Sequence, residues 1–272
     1  MNIDDCRKHF TFEPEAEYHA RSKTGECMSS HMLRKFAESA AGYFKLISEP
    51  PEEKKSDAFR FGTAVHCAIL EPEKFFERYH VSDGPVNPKT EKPFGRATKE
   101  YAAWLAALGD KEVLSEKEWK TLEAMRDSVM LHPECAKLFS AGWAEGVIRT
   151  VYAGTLCQIR VDWFNPEVGI VDLKTCDELK WFEADARRYD YPEQMAFYRS
   201  IVEQKTGMSN IPVHIVAVEK SFPHNCGVWH IDGHDLDFLA EGNRALLAEL
   251  ATCREDEYWP TNYENVRELK VW

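Results

Sequence analysis

At 272 residues the chain is long enough to bury a substantial core in one or two domains without disulfide or metal staples. Hydrophobic residues at 44% and charged residues at 29% exclude fibrous and disordered classes. Thirty-four basic against 46 acidic residues give a net charge of −12, which excludes a lysine-coated surface for indiscriminate nucleic-acid or membrane binding and leaves room for a local basic channel.

The chain opens on Met1-Asn2-Ile3-Asp4-Asp5-Cys6-Arg7-Lys8, polar and without the apolar segment of a secretory signal. The longest apolar run, Phe61 to Leu70, is interrupted by His66 and falls far short of the roughly 20 residues that cross a bilayer. A cytoplasmic protein without a membrane partner is therefore expected. Helical spacing and caps predict helices from about Ser30 to Ile47, capped by Ser29 or Ser30, and from about Ser56 to Phe76. Val81 to Pro93, with Gly84, Pro85, Pro88 and Pro93, reads as a loop. Helices follow at about Ala97–Leu108 and Ser115–Leu131, the latter opened by a Ser115/Glu118 capping box.

The period then changes. Gly146–Ala153, Leu156–Phe164 and Val168–Thr175 are short, rich in β-branched residues and separated by turn residues, so three consecutive strands are expected, the first two as a hairpin. Helices at about Trp181–Arg188 and Pro192–Thr206, strands at Val213–Glu219 and Cys226–Ile231, and a closing helix at Asp235–Cys253 complete an α/β reading. The expected architecture is one domain over 1–272: a helical part to about 142, then a mixed sheet flanked by helices from about 143. The eight cysteines are scattered and never spaced C-x-x-C, which reads as reduced core thiols rather than structural zinc or an iron-sulfur cluster.

Chemistry concentrates in Cys157-Gln158-Ile159-Arg160-Val161-Asp162 and Gly169-Ile170-Val171-Asp172-Leu173-Lys174. On a strand, Asp172 and Lys174 share one face while Val171 and Leu173 enter the core on the other. Charges at the end of an apolar sheet are costly unless they pair or bind metal, and an edge-strand ion pair is the plainer of those two outcomes. Magnesium, held by carboxylates and substrate phosphate oxygens, suits Asp162 and Asp172; it would neutralise a phosphodiester and acidify the attacking water. Lys174 could orient or deprotonate that water. An acid-x-Lys triplet alone means little, since Glu118-Trp119-Lys120 and Glu203-Gln204-Lys205 repeat it in helical settings.

Asp162 with Asp172-x-Lys174 resembles the signature of the PD-(D/E)xK nucleases, and the wider text resembles the exonuclease VIII (RecE-type) nuclease family and its phage relatives. The resemblance runs through Ser29-Ser30-His31-Met32-Leu33, Phe61-Gly62-Thr63-Ala64-Val65-His66, Leu70-Glu71-Pro72-Glu73-Lys74-Phe75, Glu145, the two strands, Tyr191-Pro192-Glu193-Gln194-Met195-Ala196-Phe197-Tyr198, and Trp259-Pro260. It implies a restriction-endonuclease-like core, metal ligation by Asp162 and Asp172, catalysis by Lys174, and His66 in the metal site, where a histidine on an apolar helix is otherwise a core residue. Asp172 stands where many of these enzymes carry Glu, which keeps ligation and shortens the reach. Gln194 and Tyr198, spaced i, i+4, match a Q-x-x-x-Y element and would sit side by side on a helix. Glu145 is a further metal-side carboxylate or a plain strand-start acid.

Arg160, Lys180, Arg187 and Arg188 are candidate phosphate contacts that position DNA without reading sequence. Ser29 and Ser30 either receive a 5′-phosphate on free amides or simply cap their helix. The resemblance implies a magnesium-dependent exonuclease, manganese substituting. It would resect linear duplex ends 5′ to 3′ for recombination and repair in a bacterial or phage-infected cell, as a trimeric or tetrameric ring beside a single-strand annealing protein. Two alternatives are an iron-sulfur CRISPR-associated or helicase-linked relative and a catalytically silent DNA-end-binding module.

Overall fold

The computed structural model describes residues 3–51 and 56–270. Helices α1 (Ile3–Arg7), α2 (Glu15–Lys23), α3 (Ser30–Glu38), α4 (Ala40–Ser48), α5 (Asp57–Leu70) and α6 (Phe75–Arg78) open the chain. Strand β1 (Tyr79–Val81), α7 (Lys99–Ala107), β2 (Glu112–Leu114), α8 (Glu116–Leu131) and α9 (Pro133–Leu138) lead to the sheet. The sheet part holds β3 (Trp143–Tyr152), β4 (Thr155–Asn165), β5 (Gly169–Cys176), α10 (Phe182–Arg188), α11 (Tyr191–Thr206), β6 (Val213–Glu219), β7 (Cys226–His230) and α12 (Gly233–Glu255).

The expected mixed sheet is present, with strands in sequence order β3-β4-β5-β6-β7. Within this sheet β5 and β6 alone run parallel, joined by the crossover through α10 and α11. The β3–β4 hairpin turns at Ala153-Gly154, both at positive φ (47° and 78°), the requirement of a tight primed turn. Gly169 starts β5 at φ +91°, where a Cβ would stand 1.9 Å from the Pro212 carbonyl oxygen; only glycine lets β5 and β6 close there.

Period-2 alternation divides the core between the two sheet faces. Ile148, Ile159, Ile170 and Ile215 bury against Phe36, Tyr43, Phe197, Ile201 and Leu247, from α3, α4, α11 and α12. On the other face Val171, Leu173, Val216 and Val218 meet Val65, Ile69, Leu122, Met125 and Val129, from α5 and α8. The helical N-terminal segment thus covers both faces of the sheet rather than forming a separate unit.

Two expected helices are interrupted. Ser30–Ile47 breaks at Ser39, whose extended backbone (φ −168°) ends α3 while its Oγ accepts the Gly42 N–H and starts α4. Ser56–Phe76 stops at Leu70 because Glu71 precedes proline and leaves the helical region (φ −134°). The Ser115 capping box forms with both of its hydrogen bonds. The β1–β2 parallel pair, of three residues each, carries too few positions for a periodic signal.

Candidate active site

The site forms where the sheet forks. Strand β4 pairs with β5 at only three positions, Trp163↔Val171, Phe164↔Ile170 and Asn165↔Gly169, and the two strands then diverge. The Leu173 N–H would be left unpaired by the split; Asp162 Oδ2 accepts it at 2.8 Å. A side chain replaces the missing strand partner and is fixed in place by that bond.

On β5, Asp172 and Lys174 share a face as their spacing requires, with Asp172 Oδ2 2.6 Å from Lys174 Nζ. That oxygen is buried and engaged by the ammonium, while a carboxylate oxygen has a second lone pair left to accept or ligate. From α11, Gln194 Oε1 lies 3.4 Å from Lys174 Nζ, and Gln194 Nε2 donates to the Tyr198 hydroxyl at 3.3 Å. The i, i+4 pair therefore stands side by side against the lysine. The Tyr191 ring, one turn earlier, lies 4.7 Å from the ammonium. Tyr191 belongs to the motif quoted above without a role of its own; an aromatic just before a helix-starting proline was the available signal.

His66 on α5 brings Nδ1 to 3.6 Å from Asp162 Oδ2. Glu145 lies opposite Asp162 across the β3–β4 hairpin, between the pairs Ala144↔Trp163 and Gly146↔Val161, with its backbone in the left-handed region (φ +59°). Donor atoms of His66, Glu145 and Asp162 all lie within 4.8 Å of one another. Two carboxylates facing each other across a hairpin repel unless a cation lies between them. Their oxygen-plus-imidazole donors fit a divalent cation; Asp172, paired with Lys174, is outside that set of three and close enough to feel the charges of Asp162 and His66.

Electrostatics agree. Burial pushes the Asp172 carboxyl up to about 6 against the pull of Lys174, and the charge of Asp162 adds to the rise. Burial also raises Asp162, while Lys174 and the Leu173 amide oppose it. Glu145 is pushed up to about 8, mainly by burial, although Arg160 resists. Burial, followed by the Lys174 charge, lowers His66 to about 4, so its imidazole is neutral and available as a ligand. For Lys174 burial disfavours the ammonium, but Asp172 and Asp162 override it and hold the pKa above the ordinary range. Lys174 is thus a cation here, which suits orientation and charge stabilisation and counts against deprotonation of water.

A cavity of 360 Å³ is lined by His66, Glu145, Arg160, Asp162 and Tyr198. A second, of 510 Å³, takes in Ser30, Arg34, Lys174, Tyr189, Tyr191 and Gln194. A third, of 360 Å³, reaches Ser29, Ser30, Gln194 and Tyr198. Gln194 and Tyr198 are shared walls, so the hollows meet around the α11 face.

The expected phosphate contacts divide. Arg160 is not free for DNA: its Nε lies 2.6 Å from Glu145 Oε2 inside the site, because β4 directs it toward the neighbouring acid. Lys180 is exposed and paired with Glu178. Arg187 and Arg188 are exposed on α10, Arg188 stacked 5.5 Å from the Tyr189 ring. The buried Ser29 hydroxyl accepts the Met32 N–H and is spent on capping, whereas Ser30 lines the cleft.

This fork, with an Asp on one strand and Asp-x-Lys on the next, defines the class: the protein is a member of the PD-(D/E)xK nuclease superfamily. Residues 29–270 match the family model described as "PDDEXK-like domain of unknown function (DUF3799)", and the chain belongs to that family. A crystal structure from Eubacterium rectale, described as a "Putative exonuclease", superposes with a TM-score of 0.65 at 18% identity, over 96% of this chain and 97% of that one. Their likeness is one of fold. No protein of curated function matches the sequence. Among the described residues no helix is long and apolar enough to cross a membrane.

Proposed function

We propose that the protein is a divalent-metal-dependent DNA exonuclease that resects linear duplex ends 5′ to 3′. The observation that carries this reading is the donor set of His66, Glu145 and Asp162 at the fork, directly beside the buried Asp172–Lys174 pair. His66, Glu145 and Asp162, joined by Asp172, would hold magnesium, with manganese substituting. Such an ion supplies charge neutralisation of the phosphodiester and a more acidic attacking water.

The chain's own residues do the rest. Lys174, held charged by Asp172 and aimed by Gln194, places an ammonium where negative charge develops on the phosphorane. Gln194 is in turn oriented by the Tyr198 hydroxyl. Tyr191 shields one side of the ammonium from water and keeps its field local. Arg160 fixes Glu145 toward Asp162 and offsets part of the repulsion between the two acids.

Exposed Arg187 and Arg188 on α10, with Lys180 before them, would meet the backbone of the incoming strand, and Ser30 its end. A net charge of −12 repels a polyanion, which favours a closed ring of three or four subunits with its cations turned inward. A 3′ single strand so produced is the substrate of a strand-annealing protein, the expected partner.

Digestion of linear duplexes labelled at either the 5′ or the 3′ end, with magnesium, tests the polarity. Early release of the 5′ label as mononucleotide supports the reading. Early release of the 3′ label reverses the polarity, and DNA binding without cleavage makes the protein an end-binding module.

A further inference from the structure

Eight thiols look scattered in the sequence, but the fold brings two of them together. Cys135 on α9 and Cys226 at the start of β7, 91 residues apart, place their sulfurs 3.6 Å from each other. No other pair of cysteines shares a thiol–thiol hydrogen bond among the described residues. Both positions are fixed by independent secondary structure. The Cys135 amide donates to His132 Nδ1 at the cap of α9, and Cys226 is in register with Val218 across the β6–β7 ladder. Cys135 belongs to the apolar cluster that includes Leu138 and Val218, and Cys226 packs against it. Cys135 is fully buried, whereas Cys226 is partly exposed on the edge strand, so a reagent approaches from the Cys226 side.

We propose that Cys135 and Cys226 are a redox modification site, which a small-molecule disulfide of the glutathione type converts to an intramolecular disulfide. The Cys135 hydrogen bond and burial hold the Cys226 thiol above the ordinary range, so attack is slow and goes through its minor thiolate form. The Cys226 thiolate attacks one sulfur of the reagent, a mixed disulfide forms, the reagent's S–S bond breaks, and one thiol leaves with the proton released from Cys226. Cys135 then attacks the Cys226 sulfur, closing the protein disulfide and expelling the second reagent thiol with the proton from Cys135. Two cysteines lose two electrons and the reagent gains them. Closing from 3.6 Å to a bond of about 2.05 Å asks for about 1.5 Å of movement. Neither sulfur lines the metal cavity, so the link leaves that cavity intact. Its effect is on the scaffold: α9 runs directly into β3, which bears Glu145, and the bond ties that entry to the outer edge of the sheet.

The test uses the full chain, reduced and then exposed to oxidised glutathione at pH 8, quenched with N-ethylmaleimide in denaturant and read by intact mass and peptide mapping. The expected result is six maleimide adducts instead of eight and a single linked peptide pair, Cys135–Cys226. Thermal unfolding of that species should shift upward by several degrees, on the order of 5–10 °C, because a long loop is closed in the unfolded chain. Cys135→Ala, which keeps the buried position apolar, should stop at one glutathione adduct on Cys226, and reductant should restore eight free thiols in the wild type. Eight adducts after exposure, glutathione adducts that accumulate on both cysteines, or links spread over other cysteines would each overturn the proposal.

Discussion

Removing the negative charge of Asp172 while keeping its volume, Asp172→Asn, strands Lys174. The carboxylate is 2% exposed and its oxygen lies 2.6 Å from an ammonium whose side chain is 18% exposed. Breaking a buried pair by removing one partner costs about 3–5 kcal/mol; burial of the carboxylate, which lifts it to about 6, works against this loss, and Asp162 and the Tyr191 ring stay close to the ammonium, so at most the lower end applies, about 3 kcal/mol. Replacing both partners, Asp172→Asn with Lys174→Met, removes the orphaned charge and should return stability to within about 1 kcal/mol of wild type. The coupling in this cycle is therefore about 2 kcal/mol or more. Lys174→Met alone should cost less at pH 5 than at pH 8, because Asp172, already raised to about 6, can then take up a proton. Urea unfolding of the metal-free proteins at both pH values gives the stabilities, and hydrolysis of linear duplex with magnesium gives the activities. All three variants should lose at least about a hundredfold in rate, the order of loss when one preorganised catalytic charge is removed. A single Asp172→Asn variant as stable as wild type, or active within tenfold of it, would refute the reasoning.

Four further outcomes are expected. Cation binding must displace protons from Glu145 and Asp172, raised to about 8 and 6, so the apparent affinity for manganese, followed by calorimetry, should strengthen between pH 6 and 8, by up to about tenfold per unit. Without metal, the folded protein retains the Glu145 proton that the unfolded chain has lost, so stability should fall as pH rises from 6.5 to 8; the lowered His66 acts oppositely, but only below 6.5. Gln194→Ala, which releases Lys174 from its amide partner, should lower kcat about tenfold with KM little changed, the worth of one hydrogen bond to a charged group. Arg187→Ala with Arg188→Ala should weaken duplex binding in calcium uniformly across sequences and flatten its salt dependence, as read by fluorescence anisotropy.

The sheet was legible because its strands carry period-2 patterns and turn residues: β6 has the expected bounds, and the Ala153-Gly154 turn is where the pattern breaks. The shared face of Asp172 and Lys174 followed from strand geometry alone, and that of Gln194 and Tyr198 from helical spacing. What the pattern could not convey was the fork. Whether β4 and β5 stay paired beyond Trp163 depends on Asp162 reaching the Leu173 amide, a contact between residues 11 apart that leaves no periodic trace. For the same reason Arg160 read as a phosphate contact, since its fate was decided by Glu145 across the hairpin. The breaks at Ser39 and Glu71 were written in a cap residue and a pre-proline residue, but hydrophobic spacing runs across both and hides them. The thiol pair is invisible in sequence because only the packing of α8 across β6 and β7 brings α9 to the β7 edge, opposite the strand that α9 leads into.

The central claim is that the donor set at the fork makes this protein a metal-dependent nuclease acting on DNA ends. The most direct measurement compares hydrolysis of a linear duplex with that of the same duplex as a covalently closed circle, with magnesium and with chelator, alongside Asp172→Asn and Lys174→Met. The account predicts mononucleotide release from the linear form alone, dependent on added magnesium and absent in both variants. Equal cleavage of the circle would contradict the requirement for an end, and hydrolysis that persists in chelator or in the variants would contradict the assignment of the site.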